Sequence, residues 1–316
     1  MLKYIGKRIV AVIPVLFVVS LVVFFLVHLI PGDPARVMLG DQALEEDVIA
    51  LQMQMGLNDP IWLQYINWII GVFKGDWGES LFIDQSMGEI LWEHLLPTLA
   101  LSFNALIIAV VIAIPCGIYA AKNRGRAGDQ ALMGVSMVGI SIPNFLIGLL
   151  LILLFAVKLN LLPSSGYKTL SDGFGTYYRY LFLPSLALGL MHAALIMRMT
   201  RSSMLEVLGS DYIKMARAKG VKENVILFKH ALKNALLPII TVVGQSLVSL
   251  LSGALVTESV FNIPGVGQLV VTSINRRDYE VIQAVVLLIA LINVLVMLMI
   301  DILYGFADSR VRMKST

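Results

Sequence analysis

The chain has 316 residues, 58% of them hydrophobic and only 14% charged, with a mean hydropathy of +0.84. That balance belongs to an integral membrane protein and excludes a soluble globular one. A net charge of +3 carries no nucleic-acid signature, and the single cysteine, Cys116, excludes an intrachain disulfide and a cysteine-rich metal site.

Lys3, Lys7 and Arg8 precede an apolar run over Ile9–Ile30. At ~1.5 Å rise per residue such a run reaches about 33 Å, enough to cross a bilayer. A secretory signal peptide is the competing reading. The run is long for one, and it leads into IPGDPAR rather than a small-x-small cleavage site. An uncleaved first span with its N-terminus inside is therefore expected, with His28 an interfacial histidine near its outer end.

Residues 31–96 carry eleven acids against two bases, Arg36 and Lys74, which suits the outer side. From Pro60, the residues Ile61, Tyr65, Trp68 and Ile69 follow helical spacing, and Trp62 and Trp68 are placed to anchor at the interface. The clustered acids read better as solvated groups than as a metal or glycan site.

The second span is expected over Pro97–Ala121, followed by an inside loop with Lys122, Arg124 and Arg126. The third, Ala131–Val157, contains Ser141-Ile142-Pro143-Asn144-Phe145. Pro143 removes a helical hydrogen bond beside two polar side chains, so Ser141 and Asn144 are candidate substrate-path residues, with plain helix packing the alternative. Residues 158–179 return outside. The fourth span is expected over Tyr180–Met197 and the fifth over Ile239–Thr257, short unless Leu236 and Leu237 join it. Between the fifth and sixth spans, Pro264, Gly265 and Gly267 form a candidate outer turn or gate. Gly265-Val266-Gly267 is not a phosphate loop, because no strand precedes it and no Gly-Lys-Ser/Thr follows; a Pro-Gly turn into a short helix is expected. The sixth span is Val281–Tyr304, with Asp301 near its inner end.

Basic residues test this topology. Inside segments hold 17 Lys/Arg and outside segments 7. Every inside segment is basic, as orientation requires. The fold class is thus an all-α integral membrane protein with six transmembrane helices and both termini cytoplasmic. Residues 1–96 form an N-terminal span with an extracytoplasmic segment, and residues 97–316 a five-span core.

The inside stretch 198–238 stands out. Eight Lys/Arg face three acids, Glu206, Asp211 and Glu223. The pattern is helix, break at Gly220, second helix, then Pro238 opening the next apolar run. Asp211 puts a negative charge where the helix dipole favours it, Gly220 is suited to a left-handed helix end, and Tyr212, Met215 and Ala216 share a face. An orientation signal alone does not need this architecture.

DYIKMARAKG and the later HALKNALLP resemble the EAA loop of ATP-binding-cassette importer permeases of the dipeptide, oligopeptide and nickel family. LVHLIPGDPA, the GDWG stretch, GISIPNFLIGLLLILLFAVKLNLLPSSGY and DILYGFADSRVR extend the resemblance over nearly the whole chain. One departure is Lys214, where the general motif carries Glu; Ala216, Ala218 and Gly220 are kept. The resemblance implies a type I importer permease fold in a bacterial or archaeal plasma membrane. It also implies a second related permease, two ATPase subunits and an extracytoplasmic substrate-binding protein. By the same likeness the short helix docks in a groove of the ATPase, so Asp211, Tyr212, Met215, Ala216, Arg217, Ala218 and Gly220 are the expected coupling residues. Family cargoes are short peptides, with nickel or metal chelates in some branches; peptides are expected here.

No Walker-type phosphate loop, His-Glu-x-x-His or Gly-x-Ser-x-Gly occurs, and His94, His192 and His230 lie on different segments. A transport subunit rather than an enzyme is expected, with no cofactor or metal in this chain and with ATP and Mg on the partners. Two rivals are a secondary transporter, which usually places ionisable groups or broken helices at mid-membrane, and a membrane scaffold. The spans are nearly free of charge at their centres, and only the importer reading predicts a copurifying ATPase.

Overall fold

The computed structural model describes residues 2–29, 34–40, 42–54, 56–80 and 82–307. Residues 30–33 of the IPGDPAR motif and 308–316 of the C-terminal one lie outside them. The described residues are helical, apart from loops and one isolated bridge between Glu79 and Ser86.

Among the described residues, five helices are long and apolar enough to cross a membrane, and a bent pair, taken as one span, makes a sixth. The first is α1 (Leu2–Leu29), followed by the short α2 (Pro34–Leu39), α3 (Glu45–Gln54) and α4 (Ile61–Lys74). α4 lies against α1 through ring contacts of Tyr65 with Phe17 and Phe24, and Ser20 and Tyr65 share a 2.8 Å hydroxyl hydrogen bond. His28, exposed near the end of α1, bonds Gln64 of α4 at 3.1 Å.

The spine is α5 (Met87–Lys122) against α8 (Phe174–Leu208). Both outrun their apolar stretches. α5 starts ten residues before Pro97, capped by Ser86, whose side chain accepts from the Glu89 amide. The fourth helix does not stop at Met197: α8 continues to Leu208 and carries Arg198 and Arg201 on the same unbroken backbone. The two helices approach closely because glycine faces backbone. A Cβ at Gly189 would lie 2.6 Å from the Ala105 carbonyl oxygen, and one at Gly117 would lie 2.8 Å from that of Met197. Ala105, Ala109 and Ala113 on α5 are all fully buried there. Small residues at such seams let backbones pack where apolar burial offers no driving force.

The third span is not a kinked rod. α6 (Ala127–Ser141) and α7 (Asn144–Leu151) meet at 103°, and a π-helical turn, Ile152–Lys158, continues α7. Pro143 is the residue before α7, with ψ 139°, and Ile142 before it is extended, as the steric restriction ahead of proline demands. Pro238, by contrast, stands at the head of an apolar run but starts no helix. Helix formation resumes at α10 (Glu223–Val225), passes through a π-helical turn Ile226–Ala231, and runs through Pro238 in α11 (Leu232–Gly253). Leu236 and Leu237 thus join the fifth span. α12 (Leu255–Phe261) and α13 (Val266–Arg276) follow, and α14 (Tyr279–Ala307) closes the described chain against α1 and α11.

Candidate functional site

The inner loop is built around α9 (Asp211–Ala218), set between the ends of α8 and α10. Ser210 leaves its own helix uncapped and donates its hydroxyl to the Val207 carbonyl at 2.6 Å, closing α8. Asp211 occupies the first turn, and Lys214 donates to it at 2.8 Å. The lysine that replaces the family's glutamate therefore neutralises the neighbouring acid. The helix ends in a paired capping pattern: the Gly220 amide donates to Arg217 at 2.9 Å and the Val221 amide to Ala216 at 3.2 Å. That geometry needs a left-handed residue, and Gly220 has φ +74°.

Two further contacts hold α9 on the helix that follows. Arg217 makes a forked pair with Glu223, 2.9 and 3.3 Å, across the turn, which raises its guanidinium still further above its ordinary range. Asn234 of α11 donates to the Tyr212 hydroxyl at 2.7 Å. Only Ile213 of α9 is fully buried. Met215 is 60% exposed and Phe228, on the π turn beneath, 59%. Tyr212 is exposed as well, and Ala216 is half-buried. α9 is a firmly held helix with an unpartnered apolar face.

The outer turn contains a feature that sequence reasoning missed. Glu258, expected on the outer surface, is completely buried. Thr98 of α5 donates to its Oε1 at 2.6 Å, and the Gln268 amide donates to Oε2 at 3.1 Å. Thr98 in turn accepts from the Val266 amide at 2.9 Å. These two side chains satisfy the free amides of the first turn of α13, which its own N-cap, Gly265, cannot. A carboxylate there also meets the positive end of the helix dipole. Gly265 and Gly267 leave room for it. A Cβ on Gly267 would sit 2.5 Å from the Leu255 Cα and 2.8 Å from Glu258 Oε2, and one on Gly265 would strike the carboxyl carbon. Pro264 beside them is exposed.

Ser141 and Asn144 flank the break between α6 and α7. The Ser141 hydroxyl is spent on the Met137 carbonyl at 2.9 Å, while Asn144 Oδ1 is buried without a partner. A cavity of 580 Å³ lies elsewhere, between α8 and α11, lined by His192, Arg198, Ser202, Gln245, Ser246 and Ser249 with apolar neighbours. The periodicity of these polar residues was its only sequence signal. On the inner side, Asp129 of α6 is almost fully buried and takes a forked pair from Arg201 of α8 at 2.5 and 2.7 Å. Among the described residues, no group of three His, Cys, Asp or Glu is placed to hold a metal ion.

A helical bundle of five to six candidate crossings with an inner hairpin defines a polytopic membrane protein. Residues 113–313 match the family described as binding-protein-dependent transport system inner membrane component, and residues 1–88 match the N-terminal region of such membrane components. The chain belongs to this family and is a permease subunit of an ATP-binding-cassette importer, a multi-pass inner-membrane transport component rather than an enzyme. It is 41% identical to a probable peptide ABC transporter permease of Sinorhizobium fredii, covering 98% of this chain and 99% of that one. It is 40% identical to the dipeptide transport system permease protein of Alkalihalophilus pseudofirmus over 99% of this chain and all of the other. The glutathione transport system permease protein of Escherichia coli is also 40% identical over 99% of this chain and all of its own. In fold, the chain resembles the structure titled as inward-facing conformations of the MetNI methionine ABC transporter, at TM-score 0.61 and 20% identity. That match covers 72% of this chain and 100% of the other.

Proposed function

We propose that this chain forms the translocation path of a short-peptide importer together with a second, related permease. In this reading, α9 is the element through which two ATPase subunits drive it. ATP and Mg are held by those subunits, and an extracytoplasmic binding protein delivers the cargo. Residues 1–96 supply the first span and the outer element, and residues 97–316 the core.

The observation that carries the reading is the exposed apolar face of α9. A loop serving orientation alone gains nothing from exposing Met215 and Tyr212 while pinning their helix to the next one through the Arg217–Glu223 and Asn234–Tyr212 contacts. Pinning lowers the entropy lost when a partner's groove closes on the helix. α9 sits at the end of the α8 extension, which continues unbroken into the spine of the bundle. Closure of the ATPases would displace α9, and α8 would carry that displacement into the membrane. Two states then differ in their contacts, as any ligand-driven switch requires. Ser141 and Asn144 at the α6–α7 break, and Pro264, Gly265 and Gly267 at the outer turn, are the proposed path and gate residues. Peptide cargo is supported by the names of the full-length relatives, which carry peptide, dipeptide and glutathione.

Gentle purification followed by mass spectrometry tests the assembly: ATPase subunits, a second permease and a peptide-binding protein are expected. Ala216→Trp tests α9. At equal membrane abundance it should strip the ATPase subunits or abolish peptide-stimulated ATP hydrolysis, because it overfills the docking contact. Full retention and full turnover would show that α9 is not the coupling element.

A further inference from the structure

The cavity between α8 and α11 is lined by two helix faces in register. His192, Arg198 and Ser202 follow one face of α8, and Gln245, Ser246 and Ser249 one face of α11. Its 580 Å³ lies within the size range of small-molecule sites. The positive-inside rule accounts for a cation near the inner end of a span. It does not account for an imidazole and a hydroxyl buried deeper, at His192 and Ser246, where each polar group is costly.

Charge and unmet hydrogen bonding say what fits. Arg198 makes no ion pair among the described residues, whereas Arg201, one turn further on, is matched by Asp129. No carboxylate lines the cavity. His192 is 3% exposed, and its Nδ1 is buried with no partner. A buried polar atom left open in a native fold calls for an explanation. An arginine fork with neutral donors around it matches a planar carboxylate, and the arginine's own charge disfavours an ammonium group.

We propose that this cavity is a transit subsite for the carboxylate of the cargo. Arg198 holds the carboxylate, Gln245 and Ser249 donate to it, and the apolar wall at Leu195 and Val242 receives the adjoining side chain. The assignment of that carboxylate to a peptide rests on the function proposed above. Passage also requires that the hold be weak enough to release.

The test uses the assembled transporter in inside-out vesicles, with Ser202→Cys, a lining position given no part in holding the carboxylate, as reporter in a Cys116→Ala background that retains its ATPase subunits. Two methanethiosulfonate reagents are compared, the anionic sulfonatoethyl and the cationic trimethylammonioethyl compound. The ratio of anionic to cationic labelling rates should fall roughly tenfold on adding Arg198→Gln, as loss of one nearby unscreened charge implies. Trialanine should slow labelling, and trialanine amide should not. A reporter that reacts with neither reagent, a ratio indifferent to Arg198→Gln, or equal protection by acid and amide each overturns the subsite. So does a labelling ratio that follows the phosphatidylglycerol content of the vesicles without peptide protection, which would make this a lipid-headgroup pocket. If the charge preference and acid protection hold while intact cells take up no peptide, the subsite stands and the peptide-import reading fails.

Discussion

The outer turn and the inner loop each join two helices through glycine, and they use it for opposite reasons. Gly220 has φ +74° and nothing within 4 Å of where a Cβ would be; its hydrogen is needed for backbone conformation alone. Gly265 has an ordinary extended backbone, φ −102° and ψ 175°, and Gly267 lies inside a helix. There the missing Cβ is needed for space, because a buried carboxylate and the Leu255 backbone occupy it. The difference follows from burial. The outer turn is an interior joint that fixes three helices around Glu258, whereas the inner loop is a surface hairpin with Tyr212 and Met215 exposed. Glycine in a turn therefore has two distinct chemistries, and substitution tells them apart.

The largest effect is expected at the outer joint. Thr98→Val keeps the shape but leaves Glu258 Oε1 and the Val266 amide without partners, in a place water does not reach. At about 1–3 kcal/mol for each of the two orphaned buried groups, roughly 2–6 kcal/mol of stability should be lost. Thermal unfolding of the purified complex reads this, and Thr98→Ser, which restores the hydroxyl, should recover most of it. Equal behaviour of the Val and Ser variants would mean that the hydroxyl is not the link. Next comes Gly267→Ala. Its Cβ meets backbone rather than a yielding side chain, so about 1–3 kcal/mol of overpacking is expected. Gly267→Asn should be no better, and peptide uptake should fall with both.

The sequence already contained the helical class, the number of crossings and the inner hairpin, because these depend on apolar run length, basic asymmetry and local capping chemistry. Asp211 and Gly220 are local signals, and the α9 hairpin needs only its own neighbours to form. Glu258 was illegible for the opposite reason. Its partners, Thr98 and Gln268, stand 160 and 10 residues away, so a carboxylate in a polar outer stretch reads as solvated until the fold brings α5 against α13. The length of α8 was hidden similarly. Its apolar stretch ends at Met197, but Arg201 extends the helix productively only because Asp129 of α6 waits beside it. Pro143 and Pro238 show the limit of residue type alone. The first ends in a 103° break and the second sits within an unbroken helix, although both follow apolar residues.

At the inner loop the comparison predicts a different rescue. Gly220→Val forces a β-branched side chain into left-handed backbone, at about 1–2 kcal/mol. Gly220→Asn should cost well under half of that, since asparagine tolerates this region. The readouts are ATPase-subunit retention in detergent and peptide-stimulated ATP turnover, with membrane abundance held equal. Rescue by asparagine at 220 but not at 267 confirms that one glycine serves conformation and the other space. Failure of Gly220→Asn as severe as that of the valine variant would place a partner's surface within contact distance of Gly220.

The smallest effect on stability should come from Arg217→Ala. Its pair with Glu223 staples the hairpin, but the two side chains are 46% and 43% exposed, so solvent and salt screen most of the attraction. Pairs of this kind contribute about 0–1 kcal/mol, and the capping bonds through Gly220 remain when it is removed. Arg217→Ala and Glu223→Ala should therefore lower the unfolding temperature slightly and alike, and raising the salt concentration should shrink both differences. ATPase retention separates two roles for the guanidinium. If it only braces the hairpin, the two variants lose ATPase subunits to the same small degree. If it also reaches a partner, Arg217→Ala strips the ATPase while Glu223→Ala, which frees the guanidinium, holds it at least as well as the unaltered chain. The second outcome would extend the docking face from Tyr212 and Met215 round to the charged side of α9. The first would confine that face to the exposed apolar strip.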